Sequence, residues 1–151
     1  MLIGVPAETA TGETRVAVTP ETAKKLIAQG HTVRVQSGAG LRASATDEAY
    51  QAAGADITDA AGAFGADMVL KVRSPSAAEI AQMKPGTVLV GMLEPFNADG
   101  LPRLAAAHLT AFALEAAPRT TRAQSTAVLS SQATIAGYKA VIMAADRYQT
   151  F

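Results

Sequence analysis

The 151-residue chain has no cysteine and no tryptophan, and only two histidines. The missing cysteine excludes disulfides, thiol catalysis and zinc held by thiolates. The two histidines, His31 and His108, lie far apart in sequence, and no carboxylate cluster surrounds either, so no metal site is expected. Charge of one sign is also lacking. Thirteen basic residues balance thirteen acidic ones, and there is no basic run interleaved with aromatics. Nucleic acid is therefore not an expected partner. No apolar run approaches the roughly 18 residues needed to span a bilayer. The opening MLIGVPAETATGETR has neither the charged nor the apolar region of a secretion signal. The chain reads as soluble and cytosolic. Hydrophobic residues at 49% and charged residues at 17% are ordinary for a globular domain.

What is present is an alternation of short apolar runs with helical patterns. Strands are expected at Leu2–Pro6, His31–Ser37, 55–58, Asp67–Arg73, Thr87–Leu93 and Leu109–Glu115. Thr19 as N-cap, Pro20 at the first helical position and Gly30 as a stop frame the first helix. Further helices are expected over 46–54, 59–64 and 76–83, with a partly helical crossover at 97–108. This β-α-β-α order with short glycine-marked turns predicts an α/β fold, a mainly parallel sheet flanked by helices, flavodoxin- or Rossmann-like. A long C-terminal helix over Ser125–Gln149 follows a polar stretch, Pro118–Thr126. Its Ala136, Gly137, Ala140, Ala144 and Ala145 would let another backbone approach closely. It either packs on its own sheet or bridges to a second domain. The expected division is an α/β domain over 1–124 and a linking helix over 125–151.

Three features invite chemical readings. SGAGLRAS carries Gly38, Gly40 and Ala43 as G-x-G-x-x-A after a strand, which imitates a dinucleotide phosphate loop. The best helix start, Thr46–Asp47, comes three or four residues too late for that, so a plain glycine turn is the competing reading. Arg15 follows the first strand, and Lys71 and Arg73 end another. In a parallel sheet both places lie at the carboxyl edge, where ligands usually bind. Arg15 and Lys71 could converge on a carboxylate, or could be separate surface cations with helical carboxylate neighbours such as Glu13 or Glu79. Glu94 and Glu115 end two further strands. Strand-end acids are common, and they are not read as a catalytic pair. His108 is read as a structural residue at a helix end. No nucleophile–base pair stands out.

Taken together, IGVPAETATGETRVAVTPETAKKLIAQGHTVRVQSGAG, LKVRSP and PRTTRAQSTAVLSSQATIAGYKAV resemble the alanine dehydrogenase and nicotinamide nucleotide transhydrogenase superfamily, across essentially the whole chain. The third segment resembles the transhydrogenase α subunit in particular. Alanine dehydrogenases carry a catalytic His after the fifth strand, where this chain reads MLEPFNA with Glu94. Arg15 and Lys71 resemble that enzyme's pyruvate-carboxylate pair but lack this partner. They are read as inherited scaffold, and no residue of the chain is read as catalytic.

The resemblance implies a loop that leans over the nicotinamide, in the pattern Arg, Gln, Asp, Ser. Arg119, Gln124 and Ser130 match it as cofactor-binding residues, while Ala127 stands at the Asp position. Losing one charge-assisted hydrogen bond there costs roughly 1.5–3 kcal/mol, about a tenfold to hundredfold effect on binding. It further implies NAD held mainly by a second, Rossmann-type domain beyond this chain, and NADP on a partner component. Membrane components would couple hydride transfer to proton movement, and the assembly would be a homodimer at the cytoplasmic side of the inner membrane. Two other functions compete: the first domain of an alanine dehydrogenase-like enzyme, and a non-catalytic binding module.

Overall fold

The computed structural model describes residues 1–117, 120 and 128–148. Two compact units divide the chain at Ala113. In the first, Met1–Ala113, six strands form one wholly parallel sheet. They are β1 (Leu2–Val5), β2 (Thr32–Gln36), β3 (Asp56–Thr58), β4 (Met68–Leu70), β5 (Val88–Gly91) and β6 (Thr110–Ala113), in the spatial order β3-β2-β1-β4-β5-β6. Each strand falls within its expected run, and the order is that of a doubly wound Rossmann sheet.

Helices α1 (Pro20–Ala28), α2 (Asp47–Ala52), α3 (Ala60–Phe64), α4 (Ala77–Ile80) and α5 (Gly100–Ala106) connect the strands. Thr19, Thr46, Asp59 and Ser76 each accept a backbone hydrogen bond as N-caps of α1 to α4. These caps satisfy donors that a short helix otherwise leaves to solvent. At the other end of α5, His108 adopts a left-handed φ of 54° and its N–H bonds the Ala105 carbonyl. That is a helix-stop geometry, in keeping with its structural reading.

The core follows from strand periodicity. Ile3 and Val5 of β1 and Val33 and Val35 of β2 are in register and share one face, packed in a cluster that includes Ala23 of α1 and Tyr50 of α2. Tyr50 is fully buried, and its hydroxyl donates to the Val18 carbonyl at 2.7 Å. Gly4 points the other way, onto α3, where a Cβ would sit 1.8 Å from the Ala63 carbonyl oxygen. A second cluster gathers Phe64, Val69, Ile80, Met83, Leu89, Leu93 and Leu104. Helices leave β1 and β4 in opposite directions along the sheet, so the loops after these two adjacent strands flank the topological switch point.

The second unit contains a 3₁₀ turn at Leu114–Ala116 and helix α6 (Val128–Arg147), 20 residues long. Ile135, Tyr138, Val141, Ile142 and Met143 are exposed along it. No helix among the described residues is long and apolar enough to cross a membrane.

Candidate functional site

The loop after β1 and the segment after β4 carry the charged residues anticipated at the carboxyl edge. Each cation meets a carboxylate there. Arg15 grips Glu13 as a planar fork, with Nε to Oε1 at 2.7 Å and Nη2 to Oε2 at 2.6 Å. The Arg15 backbone N–H joins at 3.0 Å. Arg73 Nε donates to Glu13 Oε2 at 3.0 Å. Arg15 and then Arg73 pull the Glu13 carboxyl down from 4.5 to about 2, against the opposing effect of burial. Arg15 is in turn held above its ordinary value by Glu13.

Lys71 is placed differently. Its side chain is only 1% exposed, and Nζ meets Glu79 Oε1 at 2.8 Å and Glu8 Oε2 at 3.5 Å. It also stands 5.8 Å from the centroid of the Phe64 ring, within cation–π range. Glu79 does three things at once. It pairs with Lys71, accepts from the Thr9 hydroxyl at 3.2 Å, and closes a reciprocal capping box with Ser76 at the start of α4. Burial pushes its carboxyl up, but the bonds from Lys71, the Ser76 backbone and Thr9 win, and the net shift is downward. Glu8 accepts the backbone N–H groups of Val72 at 2.6 Å and Arg73 at 3.3 Å. The two loops are thereby fastened together by buried charge.

Arg15 and Lys71 therefore stand on the same sheet edge, each committed to the carboxylates the sequence placed nearby, Glu13 and Glu79. Lys71 is thus a buried cation, not the surface cation that spacing suggested, and spacing showed neither the part played by Glu8 nor that Arg42 Nη1 donates to the Glu13 carbonyl at 3.2 Å. The S-x-x-E pattern at Ser76–Glu79 was a readable cue for the cap. A cleft of about 580 Å³ opens beside this network, lined by Thr9, Lys71, Arg73, Glu94, Asn97 and Arg103 among others. Glu94 lines it with a left-handed φ of 53° directly before Pro95, a backbone state that a non-glycine residue adopts at some cost. Among the described residues no group of three His, Asp or Glu could hold a metal ion.

The glycine segment is a turn. Leu41–Ala43 forms a 3₁₀ turn, and α2 starts only at Asp47. The Gly38 N–H, which a phosphate would need, donates to the Asp47 carboxylate at 2.9 and 3.2 Å, and Ser37 Oγ donates to it at 2.6 Å. Gly40 lacks a side chain because Ala45 and Tyr50 fill the space. The segment also follows β2, whereas the Rossmann fingerprint follows the first strand. SGAGLRAS thus forms a turn closed by Asp47, not a dinucleotide phosphate loop.

Of the three loop residues matched to nicotinamide contacts, Arg119 and Gln124 lie outside the described residues, as does Ala127. Ser130 is exposed in the first turn of α6, and its carbonyl accepts from Thr134 Oγ1 at 3.0 Å.

Comparison with known proteins adds ancestry to this geometry. Residues 4–136 match the family model described as alanine dehydrogenase/PNT, N-terminal domain. The chain is 42% identical over 152 residues to the NAD(P) transhydrogenase subunit alpha of Haemophilus influenzae, covering 100% of this chain and 30% of that one. It is similar to the crystal structure of a transhydrogenase from Sinorhizobium meliloti, with a TM-score of 0.94 at 45% identity over 99% of this chain and 46% of that chain. The alanine dehydrogenase of Bacillus subtilis is 44% identical over 90 residues, 59% of this chain and 24% of that one. The chain thus spans well under half the length of the curated relatives it matches. A six-stranded parallel Rossmann sheet with this sequence similarity places it plainly: the chain belongs to the alanine dehydrogenase/PNT N-terminal domain family.

Proposed function

We propose that this chain is the first domain of a transhydrogenase alpha subunit and contributes to hydride transfer between NAD(H) and NADP(H). The observation that carries the reading is the extent of similarity. It covers 100% of the chain against the Haemophilus subunit alpha, but 59% against the Bacillus alanine dehydrogenase. Glu94 supports the same branch, since it stands where the resemblance puts the dehydrogenases' His.

In this reading the family uses NAD(H) and NADP(H), and NAD is held chiefly by a second domain that follows a linking helix over 125–151. The α/β body over 1–124 forms one wall of the cleft. Arg119, Gln124 and Ser130 contact the nicotinamide, with Ala127 leaving that contact one acceptor short. NADP(H) belongs to a partner component, membrane components couple the reaction to protons, and two copies assemble at the cytoplasmic side of the inner membrane. Arg15 and Lys71 act as scaffold cations. Their bonds to Glu13, Glu8 and Glu79 favour this role over the capture of a substrate carboxylate.

The test combines this chain with a separately produced second NAD-binding domain and the NADP(H)-binding component. Hydride transfer should appear only in the combination, this chain alone should not bind NADH, and Arg119→Ala and Gln124→Ala should weaken both the transfer and the NADH binding of the combination. NADH oxidation that depends on pyruvate and ammonia would instead assign the chain to the alanine dehydrogenase branch.

A further inference from the structure

We draw no further inference here: the strongest candidate, the apolar face of β4, β5 and β6 on which Leu70, Val90 and Phe112 lie in register, with Phe112 57% exposed, carries nothing because nothing in the structure shows what covers it.

Discussion

Lys71 and Glu79 meet at 2.8 Å inside the protein, with side chains 1% and 7% exposed. Around this pair the end of β4, the loop after β1 and the start of α4 are joined through Glu8, Thr9 and Ser76. Removing the cation leaves two carboxylates buried without their counter-charge. Lys71→Met is therefore expected to cost about 3–5 kcal/mol, read from urea unfolding. Adding Glu79→Gln to it should recover part of that loss, since one of the stranded charges goes. A cost under about 1 kcal/mol for Lys71→Met would show that the pair is solvated.

Acid should loosen the same edge. Glu13 titrates at about 2 in the folded chain against an ordinary 4.5. A depressed carboxylate gives stability that is complete above its unfolded value and is lost as pH falls through its folded one. The window here runs from about pH 4.5 down to about 2, and the contribution is on the order of 3 kcal/mol. Glu79, also shifted downward, acts in the same direction. Urea midpoints should fall steadily below pH 4.5, and Glu13→Gln should flatten that slope. A Glu13→Gln profile parallel to the parent's would assign the acid sensitivity elsewhere.

The sheet was legible because its signals are local. The run LIGVP and the pattern T-P-E-T each name their element without reference to distant residues, and β1 and α1 appear where they say. Helix α4 is shorter than its expected run over 76–83, ending at Ile80 shortly before Lys84-Pro85. The site was legible only in part. Arg15 and its Glu13 are two residues apart, and Lys71 and Glu79 are eight apart, so their pairing could be named in advance. Glu8 to Val72 spans 64 residues, and Arg42 to Glu13 spans 29. Those contacts exist because β1 adjoins β4 and β2, which follows from topology rather than from spacing.

Tyr50 tests how the loop before α1 is held. Its hydroxyl is the buried donor to the Val18 carbonyl. Tyr50→Phe keeps the ring packing and strands that carbonyl, so about 1–2 kcal/mol of stability should be lost. The ring itself fills core volume, so Tyr50→Ala should cost clearly more, about 3–5 kcal/mol by analogy with other large aromatic truncations. Equal losses in the two variants would mean that the hydroxyl, not the ring, anchors the segment.

The two glycines of the turn should respond differently to alanine. At Gly40 a new Cβ would lie 2.6 Å from the Ala45 carbonyl oxygen and 2.8 Å from the Tyr50 ring. Backbone cannot yield cheaply there, so Gly40→Ala should cost about 1–3 kcal/mol as overpacking. At Gly38 the nearest atom is Leu41 Cδ1 at 3.6 Å, and only the φ of 76° penalises a side chain. That left-handed state costs roughly 1–2 kcal/mol for a non-glycine residue. Thermal melts of the two variants measure both terms. Because the Gly38 N–H already serves Asp47, neither substitution should change NADH affinity in the assembled system beyond the fraction unfolded. A Gly38→Ala protein that stays folded yet loses NADH would restore the phosphate-loop reading of SGAGLRAS and displace Asp47 from its place as the anion of that turn.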